Sequence, residues 1–169
     1  MAPTKVDRRC WRMLSPRWAS EPLSGAGAKA RGGRWNAREQ PTLYLSEDHA
    51  TAIAEYLQDL IRPGLLAPYE VRAENVVDLT TAAKRRQLGI DDTLLQLDWR
   101  RTRDVDRQRP VSWEFSEAAI DVGYVGLRVP SARTRGVNLI LWHWNTPGGA
   151  DVTCIDPQAD LPRDQSSWT

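Results

Sequence analysis

The stretch GAGAKARGGRWN at residues 25–36, with TLYLS at 42–46 and AIAEYL at 52–57, decides the fold. Glycines, two arginines, a tryptophan and an asparagine crowd its first part, which reads as an irregular, ordered binding loop rather than a helix. The GxG inside it is no dinucleotide fingerprint, because the pattern places no strand before it and no helix after it. Residues 42–45 alternate as a short strand, with Leu43 and Leu45 facing one way and Tyr44 the other. Ser46 reads as an N-cap, and Glu47 and Asp48 suit the positive end of a helix dipole. The helix is expected to run to about Arg62, where Pro63 and Gly64 stop it. Its apolar stripe is Ala50, Ile53, Ala54, Leu57, Leu60 and Ile61. Glu55 falls off that stripe, which by itself is the usual place of a solvated glutamate.

Working outward, residues 1–9 read as a loose, charged lead-in and residues 10–14 as a first strand. Arg12 in that strand reads as a solvated edge arginine. Residues 69–73 and 76–79 form two further strand runs, Thr80 or Thr81 caps a short helix ending at Gly89, and residues 93–100 form another helix. The run RRTRDVDRQRP at 100–110 reads as a mixed-charge loop. Ser112 caps a helix to about Ile120, residues 124–129 alternate as a strand, and an apolar strand at 138–144 is expected to sit centrally. A last strand falls near 152–155, and the polar tail from Pro157 is expected to fray, with Trp168 unexplained. Strands and helices in similar number, without regular alternation, predict a single α+β domain over residues 10–156 between the lead-in and the tail at 157–169.

Composition narrows the function classes. The 169 residues carry 23 basic and 22 acidic side chains, a net charge of +1, which argues against an autonomous DNA binder. No apolar run approaches the ~20 residues of a membrane helix, and no secretory signal opens the chain. Two cysteines, Cys10 and Cys154, make no disulfide framework, so a cytoplasmic protein is expected. His49 and His143 have no partner at ligand spacing, so no metal is expected. No serine-hydrolase elbow is present. Eight tryptophans suit a core or an interface. What remains is a set of arginines, a tyrosine, a glutamate and a serine. Such a set suits an anionic, ring-bearing substrate whose reaction develops positive charge.

Read together, GxGxxxxGGRWN, TLYLS, AxxAE and a later VPSAR ahead of NLIL resemble the RES-domain family, over roughly residues 10–145. The resemblance implies a fold like that of ADP-ribosyltransferases, with a mixed sheet flanked by short helices. It implies a toxin of a bacterial toxin–antitoxin pair, neutralised by a helix-turn-helix antitoxin, with NAD+ as the substrate consumed. The ADP-ribose would pass to water, to phosphate or to a protein acceptor. By the same resemblance Arg34, Tyr44 and Glu55 are catalytic, and Arg12, Gly33, Asn36 and Ser131 bind substrate. The glycine-rich part becomes a flexible wall of the pocket. After Ser131 the chain departs from the family pattern through LWHWNTP at 141–147, which leaves Trp142, His143 and Trp144 without a role. A non-enzymatic interaction module built on the arginine and tryptophan loop is the alternative.

Overall fold

A computed structural model of the chain describes residues 3–166. The strands are β1 (Thr4–Leu14), β2 (Leu43–Ser46), β3 (Leu65–Asp78), β4 (Gly126–Pro130), β5 (Val137–Leu141) and β6 (Asp151–Cys154). They form one mixed sheet in the order β1-β2-β5-β4-β3-β6, and β1 also pairs with β3. That extra pairing joins five strands in a ring, with β6 added to β3 beside β4. Among these strands only β3 and β4 pair in parallel. The helices are α1 (Ala26–Arg31), α2 (His49–Leu57), α3 (Ala82–Gln87), α4 (Thr93–Gln96), α5 (Trp99–Asp104) and α6 (Val111–Asp121). The expected α+β class and mixed sheet with short helices are what the chain adopts.

Strand alternation splits the core in two. Leu43, Leu45, Leu139 and Leu141 join Cys10, Tyr69 and Val71 on one face. Tyr44 and Ile140 turn to the other, against Trp35, Leu127, Val129 and Trp142. The apolar strand β5 is central as expected, between β2 and β4, but the long strand is β3.

Several expectations are corrected. The charged lead-in is strand from Thr4 onward: Val6 and Cys10 are buried, while Lys5 and Asp7 pair across to Glu74 and Arg72 of β3. Charges dominate its composition because only one face is covered. The two runs at 69–79 are one strand of 14 residues. Residues 26–31 are helical despite Gly27, since three alanines favour helix and Gly32, at φ 72, ends it. The mixed-charge run contributes its first half to α5, and the helix expected at 93–100 is split at Leu97 and Asp98.

The helix α2 differs most from its expected form. Asp48, not Ser46, is its N-cap, accepting from the Thr51 amide at 2.8 Å. It stops at Leu57 because Gln58 and Asp59 adopt left-handed φ angles of 45° and 69°. Leu60 and Ile61 are therefore exposed rather than part of a buried stripe. The residues buried by α2 are Thr51 and Ala52, and Ala50 is exposed, so the helix turns a partly polar side to the sheet. Past Pro157 the tail is held rather than frayed: Asp156 accepts from the Asp160 and Leu161 amides, and Leu161 packs on the core. Trp168 lies outside the described residues.

Candidate active site

A cavity of about 660 Å³ opens on the Tyr44 side of the sheet. Its walls include residues 31–35 at and beyond the end of α1, β2, α2, residues 129–133 at and beyond the end of β4, and the α4–α5 segment. Of the residues singled out from sequence, Arg12, Gly33, Arg34, Tyr44, Glu55 and Ser131 line it. Asn36 does not.

The 33–36 turn is built from bonds that no local pattern announces. Gly33 N–H donates to the Asn36 carbonyl at 3.0 Å, closing a tight turn with Arg34 at its tip. The Trp113 indole N–H holds the Gly33 carbonyl at 2.7 Å, and that of Trp142 holds the Trp35 carbonyl at 2.8 Å. The Tyr44 hydroxyl accepts from the Trp35 amide at 3.0 Å and donates to Asn36 Oδ1 at 2.7 Å. Asn36 Nδ2 reaches the carbonyls of Ala28, Ala37 and Gln40. Asn36, expected to bind substrate, is instead found as the buried knot of the turn, with its amide committed to these internal bonds. The wall expected to be flexible is instead fastened from α6, β2 and the end of β5. A Cβ on Gly33 would stand 2.7 Å from Asn36 Oδ1 and closer still to the Tyr44 hydroxyl, which is why glycine is needed there.

These bonds also bear on Tyr44. Burial drives the phenol pKa well above its usual value, outweighing the amide of Trp35 and the charge of Arg34. The hydroxyl therefore stays protonated and committed to the turn, and only the ring is offered to the cavity. Trp142 takes its role here as well, and Trp144 donates to the Leu23 carbonyl at 3.2 Å. His143 is exposed.

Arg34 donates through one terminal nitrogen to the Leu95 carbonyl and lies 5.6 Å from the Trp35 ring centre. Its Nε is buried with no hydrogen-bond partner. Burial lowers its pKa, while Glu55, Tyr44 and Asp98 act to raise it. Arg12 is half-buried, not a solvated edge arginine. It donates to the carbonyls of Pro22 and Ser24 at 3.0–3.2 Å, and burial lowers its pKa too. Among the described residues neither guanidinium has a carboxylate in hydrogen-bond contact, so both leave positive charge facing the cavity.

Glu55 faces the same space from α2. Its Oε1 accepts from Ser131 Oγ at 2.7 Å and from Asn138 Nδ2 at 2.6 Å. Ser131 Oγ in turn accepts from the amides of Arg133 and Thr134 at 3.0 and 3.2 Å. Sequence reasoning passed over Asn138, which sits inside the apolar run NLIL; an asparagine in a central strand was the available signal. It also passed over Arg62 and Arg100, which stack on Tyr56 and Trp99 at the wall. Among the described residues no three His, Cys, Asp or Glu side chains gather as metal ligands. No helix among them is long and apolar enough to cross a membrane.

The RES domain family profile matches residues 9–164. The chain shares its fold with the MbcT toxin in the crystal structure of the M. tuberculosis MbcT–MbcA toxin–antitoxin complex, with a TM-score of 0.60 and 22% identity. The similarity covers 92% of this chain and 87% of that one. No curated protein sequence matches the chain.

Proposed function

The chain belongs to the RES-domain family, and from that premise we propose that it is a toxin of a toxin–antitoxin pair that cleaves the nicotinamide–ribose bond of NAD+. One observation carries the reading: a half-buried arginine whose Nε is buried and unsatisfied, and a glutamate held by two donors, face one cavity. The cavity's size lies in the usual range for cofactor-sized ligands, about 300–1,000 Å³. An unpaired buried guanidinium is costly unless an anion completes it. The pyrophosphate of NAD+ is such an anion, and Arg34 with Arg12 would hold it. The nicotinamide ribose would then lie towards Glu55.

In the reaction the C1′–N bond breaks and its electron pair leaves with nicotinamide, which becomes neutral, so no general acid is needed. The ribose left behind carries oxocarbenium character, and the Glu55 carboxylate stabilises it while holding a ribose hydroxyl. A nucleophile then adds at C1′, giving up its proton. The Tyr44 ring supplies a stacking face, and Ser131 orients Glu55. The complexed state of the MbcT toxin supports an antitoxin protein as partner; the family resemblance suggests one of helix-turn-helix type that closes the cavity.

Nicotinamide release from NAD+ by the purified protein tests the reading. Glu55→Gln is expected to lower the rate about 10²–10³-fold with the melting temperature preserved. Near-wild-type release from a folded variant sinks the assignment. Labelled NAD+ added with cell lysate identifies the acceptor: free ADP-ribose or its phosphate marks depletion, and a labelled protein band marks transfer.

A further inference from the structure

Glu55 is held by more than the serine. Asn138 lies on β5, opposite Ser46 of β2 and Val129 of β4, so two neighbouring strands fix its backbone. Its Nδ2 donates to Glu55 Oε1 at 2.6 Å, and its Oδ1 accepts from Ser46 Oγ at 2.8 Å. Ser46 is buried, and Asn138 Oδ1 is its side-chain partner. The chain of bonds has one sense. Turning the amide over would set Oδ1 against a carboxylate oxygen, two acceptors with no proton between them.

We infer that Asn138, backed by Ser46, is a positioning residue that locks Oε1 of Glu55 and leaves Oε2 as the oxygen presented to substrate. Ser131 and Asn138 both spend their protons on Oε1. A free glutamate on a helix samples several rotamers, and two charge-assisted donors, one from a turn and one from a strand, select one. Ser131 approaches from the turn after β4 and Asn138 from the floor of the sheet, so together they restrict the carboxylate in two directions. The inference rests on the NAD+ reading for its kinetics but not for its geometry.

The test compares Asn138→Asp, Ser46→Ala and the double variant, each with intact thermal unfolding. Asn138→Asp keeps the shape and loses the donor to Glu55. Nicotinamide release at saturating NAD+ is expected to fall about 10–100-fold, while KM changes less than about threefold, because a displaced carboxylate costs rate and not pyrophosphate binding. Ser46→Ala alone is expected to lose less, and the double variant to match Asn138→Asp, since Ser46 acts only through the amide. Wild-type rate in folded Asn138→Asp, or losses that multiply in the double variant, overturns the relay. If the wild-type protein releases no nicotinamide, the NAD+ reading fails instead. The relay is then judged by a crystal structure of Asn138→Ser: a changed Glu55 rotamer supports it, and an unmoved Glu55 overturns it. That structure also decides the matter should Asn138→Asp not fold.

Discussion

Arg34 and Arg128 are both arginines drawn in from solvent, and they are satisfied in opposite ways. Arg128 on β4 sends Nε and one terminal nitrogen to Glu47 at 2.6 and 3.0 Å, and the other to Asp78 at 2.7 Å. Arg8 also reaches Glu47 and Lys84 reaches Asp78, so every charge in that cluster has a partner. Its hydrogen bonds to Glu47 hold the Arg128 pKa above the usual value despite burial. Arg34 has one carbonyl, a neighbouring indole and an orphaned Nε, and burial lowers its pKa. A buried charge that the protein completes by itself belongs to the scaffold. One left incomplete is poised for a ligand.

Exchanging each arginine for methionine tests the contrast most severely. Arg128→Met strands Glu47 and Asp78, and should cost stability near the low end of about 3–5 kcal/mol, because Arg8 and Lys84 remain. Arg34→Met removes an uncompensated charge and should leave the denaturant midpoint unchanged or raised, while NAD+ turnover falls about 10²–10³-fold. A destabilised Arg34→Met beside an unaffected Arg128→Met would reverse the assignment of the two. Gly33→Ala comes next. The added methyl meets the Tyr44 hydroxyl and should cost about 1–3 kcal/mol, with a parallel loss of turnover as the turn carrying Arg34 shifts.

Acid sharpens the scaffold side of the comparison. Burial acts to raise the Asp78 pKa, but Lys84, Thr80 and Arg128 outweigh it and hold the group below the ordinary range. A carboxyl depressed in the folded state stabilises above its unfolded pKa of about 3.9 and loses that contribution as pH falls through the folded value. Asp78→Asn should therefore weaken the protein at pH 7 and show a shallower loss below about pH 4 than the wild type, read by urea unfolding at each pH. The smallest effect is expected at Ile61, which is fully exposed beyond the end of α2. Ile61→Ser should change stability by less than about 0.5 kcal/mol, whereas a buried stripe reaching that residue would make the change costly.

Legibility followed the range of the interaction. The β2 alternation of Leu43, Tyr44 and Leu45 and the Thr81 cap of α3 were readable because neighbours in sequence settle them. The lead-in was misread because β1 gains its stability from β3, some sixty residues away. The apolar stripe of α2 misled for a related reason. Thr51, on its buried side, bonds its own N-cap Asp48 and the distant Thr134, and Glu55 bonds Ser131 and Asn138, so polar partners, most of them far off in the chain, replace the apolar contacts that periodicity assumes. Asn36 was legible as unusual but not in role, since its Nδ2 donates to three backbone carbonyls and its Oδ1 accepts from the hydroxyl of Tyr44.

By itself the sequence determined the class of the fold, the apolar alternation of the central strands and the family to which the chain belongs. It also singled out Arg34, Glu55 and Ser131, because a motif records residue types in order. Tertiary structure alone decided which of them share a cavity, which oxygen of Glu55 is bound and which arginine is left incomplete. Those properties depend on donors and acceptors brought from strands and helices far apart in the chain, and on burial, which sets the cost of leaving one of them unpaired.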